Sequence, residues 1–261
     1  MYPNYPEKHD EPAIITPEKE VARRRERGEE PDRDLPRAVI LCYQSAFFER
    51  AIGEYAGPQF DELGGVYDLY PLVGDNDLGV AGEFGIGAPA AAGAVEHLLA
   101  RGVEAVVSVG LSGGLTREVD RGDAVVADWA IRDEGLSHHY LASERTVAAD
   151  PDLADGLAAV ARDSGVPVHR GGTWTTDAIF RETVPELERY RAEGALTVEM
   201  EAAATFAVAR YRGAAAGALF TPTDYLAADG WDAELVPDQS RLDALFGAAR
   251  EGLRDHLDEN Q

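Results

Sequence analysis

From residue 37 onward, short apolar runs alternate with longer Ala- and Leu-rich stretches. That alternation restricts the chain to an α/β architecture, because strand–helix–strand units bury their apolar faces by laying helices on a sheet. Ala38-Val39-Ile40-Leu41-Cys42 is a run of the buried-strand type. Gly85-Ile86-Gly87-Ala88-Pro89 leads into a helix expected over 90–100, ended by Arg101-Gly102. Val103 to Val109 reads as a strand entering a Gly-rich turn, Gly110-Leu111-Ser112-Gly113-Gly114, and Asp123 to Asp128 reads as another strand. Asp150-Pro151 caps and opens a helix running through Arg162, closed by Ser164-Gly165. Val198 to Tyr211 reads as a long Ala-rich helix with Gly213 at its end, Ala214 to Thr221 as a strand, and Leu242 to Leu257 as the last helix. The expectation is one α/β domain over 37–261, with a mixed, largely parallel central sheet flanked by helices. Residues 1–36 are instead rich in Pro, Glu and Arg, with the run Arg23-Arg24-Arg25-Glu26-Arg27. They read as a charged extension, an arm plus a short polar helix that packs on the body or on a neighbouring subunit.

Composition narrows the function classes. The chain has 261 residues, 45% of them hydrophobic, enough for a sizeable core. No run approaches the length of apolar sequence that a membrane span needs, and Met1-Tyr2-Pro3-Asn4-Tyr5-Pro6 is neither a signal peptide nor an anchor. Cys42 is the only cysteine, so an intramolecular disulfide is impossible and a cytoplasmic location is expected. Asp and Glu total 48 against 24 Lys and Arg, a formal net charge of -24. Such a chain repels nucleic acid and anionic membrane, so neither is an expected partner. Lys8 and Lys19 are the only lysines. An acidic, lysine-poor surface resembles those of proteins from salt-accumulating organisms; the alternative is an ordinary acidic enzyme, and the scarcity of lysine favours the former.

In open α/β sheets, ligands collect at the carboxyl ends of strands. The places so marked are the segment after Cys42, Gly110 to Gly114, Thr173 to Arg181, and Thr221 to Tyr225. The Gly-rich segment can present backbone N–H groups to an anion or a sugar edge, but it is neither a P-loop nor a dinucleotide fingerprint. In Val198-Glu199-Met200-Glu201-Ala202-Ala203-Ala204, two carboxylates flank a methionine inside an apolar stretch. If that backbone is helical, Glu199 and Glu201 lie on nearly opposite sides and at most one faces a given pocket; the alternative is a solvated helix start. Asp224, after a buried strand, is suited to donate a proton, or else to serve as a plain loop or N-cap residue. His138-His139 on a strand would point to opposite faces, which argues against joint metal binding. Arg132-Asp133-Glu134 reads as a salt-bridged cluster. No Gly-x-Ser-x-Gly elbow or His-Glu-x-x-His motif occurs.

Taken in order, these stretches resemble the nucleoside phosphorylase family, which includes purine nucleoside phosphorylases, uridine phosphorylases and nucleosidases. The similarity runs from about Ile40 to the C-terminal helix. It is carried by Gly85-Ile86-Gly87-Ala88-Pro89, Ala94-Val95-Glu96-His97-Leu98, Arg121-Gly122-Asp123 and, most specifically, Val198-Glu199-Met200-Glu201-Ala202-Ala203. The resemblance implies a nucleoside phosphorylase-like α/β domain that cleaves the N-glycosidic bond of a nucleoside with phosphate, giving free base and ribose 1-phosphate. It places the ribose on Glu199, Met200 and Glu201, with the methionine against the sugar and Glu201 on its hydroxyls. It puts the base against Phe180, Arg181 and Asp224. Thr223-Asp224 stands where purine-cleaving relatives carry Ser-Asp, whose Asp protonates N7. Ala178-Ile179-Phe180-Arg181-Glu182 lacks the Gln with which uridine phosphorylases hold uracil. Purine nucleosides such as guanosine or inosine are therefore favoured, with uridine as the other option.

The phosphate site departs from the family. Tyr43-Gln44-Ser45-Ala46-Phe47-Phe48 replaces Gly-Asp-Pro-x-Arg, and Ser108 replaces the other usual arginine. The remaining candidates are Gly110, Ser112, Gly113 and Arg50. Alternatively water is the nucleophile, since Gly110-Leu111-Ser112-Gly113-Gly114-Leu115 is similar to the turn of the nucleosidase branch. A non-catalytic nucleoside-binding protein is the reading from another class. The resemblance implies no metal or organic cofactor, phosphate being a co-substrate, and a homo-oligomer (dimer or hexamer) in which His9 or the N-terminal arm closes a neighbouring site.

Overall fold

A computed structural model describes residues 8–60, 63, 67–142, 144–233 and 239–260. In chain order the elements are α1 (Pro17–Glu26), β1 (Ala38–Cys42), α2 (Ser45–Tyr55), β2 (Asp68–Leu72), β3 (Asp75–Gly82), α3 (Ala88–Leu99), β4 (Ala105–Gly114) and β5 (Ala124–Asp133). There follow β6 (Thr146–Ala148), α4 (Pro151–Asp163), β7 (Val168–Thr176), α5 (Val184–Ala192), β8 (Ala195–Glu199), α6 (Ala202–Arg212), β9 (Ala215–Ala227), β10 (Gly230–Asp232) and α7 (Gln239–Glu259).

The sheet runs β10-β9-β5-β7-β8-β4-β1-β3-β2, with β6 added to β5. Strand β9 also pairs in parallel with β4, so β4, β9, β5, β7 and β8 close into a ring. The sheet is mixed. The long ladders, β4 with β9 and β5 with β7, are parallel, while β2–β3, β4–β8, β5–β6, β5–β9 and β9–β10 are antiparallel. Strand β1 is buried at every position between β3 and β4, as its unbroken apolar run requires. Helices α4 and α7 pack on each other and on the sheet, and α3 packs against α6. A smaller apolar cluster, including Ile131, Trp174, Leu187 and Val198, lies between the ring and α5.

Local signals explain several element ends. Asp150 Oδ1 accepts from the Leu153 N–H at 2.9 Å, with Pro151 opening α4. Gly213, at φ 75, ends α6 in the left-handed conformation that a Cβ disfavours. Other expectations need correction. The Gly-rich segment 110–114 is not a turn: β4 continues through it, pairing Gly113 and Gly114 with β8 and β9. Glycine is needed there for close approach, since a Cβ on Gly114 would sit 2.6 Å from the Tyr225 ring. The helix expected from Val198 begins at Ala202, Val198 and Glu199 being the end of β8. Asp224 does not follow its strand but lies within β9, which extends to Ala227. His138 and His139 sit in a 3-10 turn, not a strand, and His138 Nε2 bonds to the Arg132 carbonyl.

Arg132 directs its guanidinium to the Ser137 hydroxyl and to the carbonyls of Leu141, Ala142 and Glu144, while Asp133 accepts from Trp174 Nε1. The N-terminal extension lies on its own body. Val21 of α1 is buried, Glu30 joins Arg24 to Arg101, and His9 Nε2 bonds to the His138 carbonyl at 3.1 Å. Among the described residues, no helix is long and apolar enough to cross a membrane.

Candidate active site

A cleft of about 780 Å³ opens where β1, β4, β8 and β9 end or bend. Its floor is the Glu199-Met200-Glu201 segment, held by backbone contacts. Glu199 Oε2 accepts from the N–H groups of Glu201 and Ala202, both at 2.7 Å, and so caps α6. Its Oε1 accepts from the Thr175 hydroxyl at 2.5 Å, and Thr175 Oγ1 in turn takes the Ala203 N–H. Burial and the neighbouring Glu201 charge push the Glu199 carboxyl upward, against the pull of these donors. Glu201 Oε1 accepts from the Gly87 N–H at 2.6 Å and Oε2 from the Met200 N–H at 3.3 Å. Gly87, at φ 92, turns that N–H inward at the start of α3. Burial raises the Glu201 carboxyl as well. Both carboxylates line the cleft, against the expectation that only one would, because the backbone between them is a strand end and a turn rather than a helix.

At the other end, Asp224 Oδ2 accepts from the Trp231 indole N–H at 2.6 Å, and Thr223 Oγ1 lies 3.3 Å from Oδ1. Glu182 faces the same space. Burial first, then the Asp224 charge, pushes its carboxyl up to about 7. In the sequence Glu182 is a loop residue without an assigned role; its signal is a carboxylate between Phe180 and the apolar start of α5, a place that burial perturbs. Trp231 was likewise missed, because β10 is too short to announce itself. Phe180 lines the mouth of the cleft with 93% of its surface exposed, whereas Arg181 is exposed and outside the lining.

The candidate phosphate groups divide. Ser112 and Gly113 line the cleft, and Gly110 lies behind Gln44. Arg50 is elsewhere, its guanidinium paired with both oxygens of Asp243 on α7. The positions that depart from the family meet each other: the Tyr43 hydroxyl lies 2.8 Å from Ser108 Oγ. Ser112 Oγ and Gln44 Oε1 are buried without a hydrogen-bond partner among the described residues. Gln44, which lines the cleft, is also the N-cap residue of α2 and makes no side-chain cap bond. Among the described lining residues none is Lys, Arg or His, while Glu182, Glu199, Glu201, Asp224 and Asp229 are acids.

The fold is that of nucleoside phosphorylases and nucleosidases: the crystal structure of AMP nucleosidase from Bacteroides thetaiotaomicron superposes with a TM-score of 0.75, covering 94% of this chain and 99% of that one at 20% identity. The phosphorylase superfamily profile matches residues 75–247, and the chain belongs to that superfamily. Curated relatives include a guanosine phosphorylase of Halorubrum lacusprofundi, 38% identical over 52% of this chain and 57% of its own length. A uridine phosphorylase of Thermococcus kodakarensis is 32% identical over 51% of this chain and 53% of its own. A purine nucleoside phosphorylase of Plasmodium vivax is 28% identical over 59% and 66%. The chain thus spans between about half and two thirds of the length of these relatives. The first comes from a halophilic archaeon, in keeping with the acidic, lysine-poor composition.

Proposed function

We propose that this chain cleaves the N-glycosidic bond of a purine nucleoside, guanosine or inosine, by phosphorolysis. The observation that carries the reading is the anchoring of Glu201. Each carboxylate oxygen accepts one backbone N–H, Oε1 from Gly87 and Oε2 from Met200, and in the cleft-lining carboxylate each oxygen keeps a lone pair with which to accept one of two vicinal sugar hydroxyls. Met200 covers the sugar. The base lies towards Asp224 and Glu182, between the exposed rings of Phe180 and Trp231. As C1′–N9 stretches, the ribosyl group gains oxocarbenium character and the purine gains negative charge. Asp224 offsets that charge by protonating N7, an effect typically worth about 10²–10⁴-fold in rate. Above about pH 7, where Glu182 is ionised, its carboxylate offers two acceptors to the N1–H and exocyclic amine of guanine, a fit that hypoxanthine meets only in part.

Phosphate would sit near the start of α2, where the helix dipole attracts an anion and the buried Ser112 hydroxyl lacks a partner among the described residues. The reading calls for no metal or organic cofactor. A second reading, hydrolysis by water, is favoured by the absence of basic residues among the described lining and by the Tyr43–Ser108 bond. A nucleoside panel incubated with and without phosphate separates them. Base released only with phosphate supports phosphorolysis, base released equally in both supports hydrolysis, and no base in either leaves a nucleoside-binding protein. Asp224→Ala is expected to lose most activity on guanosine and far less on 7-methylguanosine, whose fixed positive charge replaces the proton. An unchanged ratio of kcat/KM for the two substrates would remove Asp224 as the acid.

A further inference from the structure

The carboxylates that line the cleft differ in how much of each is left for a ligand. Glu199 accepts from Thr175 and two backbone N–H groups, and Glu201 from the Gly87 and Met200 N–H groups. Asp224 accepts from the Trp231 indole and the Thr223 hydroxyl. Asp229 stands exposed at the turn of the hairpin that β10 forms with β9. Glu182 differs from all four. It is half-buried at the Asp224 end of the cleft, and no group among the described residues donates a hydrogen bond to it. Its neighbour Glu186 is engaged elsewhere, accepting from the N–H and the hydroxyl of Thr183 in the capping box that opens α5. Both oxygens of Glu182 are therefore open to whatever enters. The charged groups that face it are Asp224 from β9, Glu186 from α5, Asp229 from the hairpin, and Glu199 and Glu201 from the floor, while the adjacent Arg181 is exposed and outside the lining. Burial, then the charges of Asp224 and Glu186, hold the Glu182 carboxyl at about 7, so both of its forms are populated near neutrality.

We propose that Glu182 is a specificity-determining residue with two settings: ionised it selects guanosine, and protonated it admits adenosine as a second substrate. The selection is a matter of donors and acceptors. Guanine presents N1–H and a 2-amino group side by side, both donors, and an ionised carboxylate answers them with two acceptors. A proton on the carboxyl faces one of those donors, and a bond is lost. Adenine has a bare N1, an acceptor, with C2–H beside it. Against an ionised carboxylate its lone pair meets negative charge, whereas a carboxyl O–H donates to it. Leaving polar groups mismatched in a partly buried pocket is what separates close analogues by orders of magnitude. The Glu182 proton takes no part in the bond changes. It stays between the carboxyl and the edge of the base while C1′–N9 breaks as it does for guanosine.

The inference rests on the purine reading, with the base laid against Glu182, so the test has a kinetic arm and an arm that needs no turnover. In the first, kcat/KM is measured for adenosine and guanosine across the neutral range. Their ratio cancels every titration the two substrates share, those of the nucleophile and of the free enzyme's other groups included. With Glu182 at about 7, the adenosine value is expected to fall about tenfold from about pH 6 to about pH 8 and the guanosine value to rise about tenfold, so the ratio drops about a hundredfold. Glu182→Gln presents one donor and one acceptor at every pH, so its ratio is expected to stay flat at the low-pH level. In the second arm, calorimetry in buffers of different ionisation enthalpy follows 9-deazaadenosine and 9-deazaguanosine, whose carbon–carbon glycosidic bond is not cleaved. The adenosine analogue is expected to bind with proton uptake at about pH 8, and the guanosine analogue with proton release at about pH 6. Both exchanges should vanish in Glu182→Gln. Absence of adenosine cleavage at about pH 6, a ratio that does not move with pH, one that still moves in Glu182→Gln, or binding of both analogues without proton exchange overturns the proposal and leaves the purine reading standing. A chain that binds neither analogue and cleaves only uridine overturns the purine reading itself.

Discussion

Two carboxylates separated by one residue do different work here because their partners differ. Glu199 has its oxygens on the α6 start and on Thr175, so it shapes the segment, whereas Glu201 keeps lone pairs facing the cleft. Glu201→Gln is expected to cut kcat/KM by about 10²-fold or more, because an amide N–H₂ replaces an acceptor at the sugar hydroxyls. Circular dichroism should stay native, and near-normal turnover would take Glu201 out of the site. Glu182 carries a pH dependence that can be given a sign. Its carboxyl rises from 4.5 to about 7 on folding, so the folded state holds the proton more tightly. Its contribution to stability is therefore present below 4.5 and is lost as pH rises through about 7. Glu182→Gln lacks that loss, and its Tm relative to the unsubstituted chain is expected to grow between about pH 5 and about pH 8. A difference that is constant across this range would mean that Glu182 titrates as an exposed acid.

At the scale of elements, the apolar runs were legible because burial on both faces demands them. Ala38–Cys42 became β1 with the expected bounds, and Asp150-Pro151 and Gly213 marked helix ends by cap chemistry that acts locally. Legibility failed where pairing partners lay far along the chain. Gly110 to Gly114 looks like a turn to any local rule, yet β9, a hundred residues on, extends β4 through it. Glu199 looks helical among alanines, yet pairing with Thr175 makes it strand. The composition of the site was visible in Met200, Glu201 and Asp224, while Glu182 and Trp231 required the fold to bring the α5 loop and the hairpin together. The close packing in β4 has a measurable consequence. A Cβ at Gly114 meets the Tyr225 ring at 2.6 Å, and that ring is fixed by Val119, Arg117 and Arg121. Gly114→Ala is expected to lower the unfolding free energy by about 1–3 kcal/mol through overpacking, read as a reduced urea midpoint. An unchanged midpoint would show that Tyr225 has room to yield.

The whole molecule carries a net charge of -24. Arginines often bridge two acids, as Arg170 does Asp128 and Asp155 and Arg212 does Glu18 and Glu96, but the acid excess remains. Salt weakens such exposed pairs by little, since each contributes at most about 1 kcal/mol, and it relieves the repulsion among all the acids. Tm is therefore expected to climb steeply from dilute buffer to molar KCl, and a flat profile would sink the idea of a salt-adapted surface. The closed ring of strands has a consequence of another kind. Strand β4 leaves the ribosome well before its parallel partner β9, which begins at Ala215, and β5, β7 and β8 emerge between them. Until β9 arrives, β4 has an open flank of valine-rich backbone, and the sites on Ser112, Glu199 and Asp224 do not yet share a space. Loop-closure entropy makes that last pairing slow relative to helix formation. A nascent chain of this design thus lives its most aggregation-exposed moments just before β9 is in place, and acquires its whole cleft in one closing event rather than by stages.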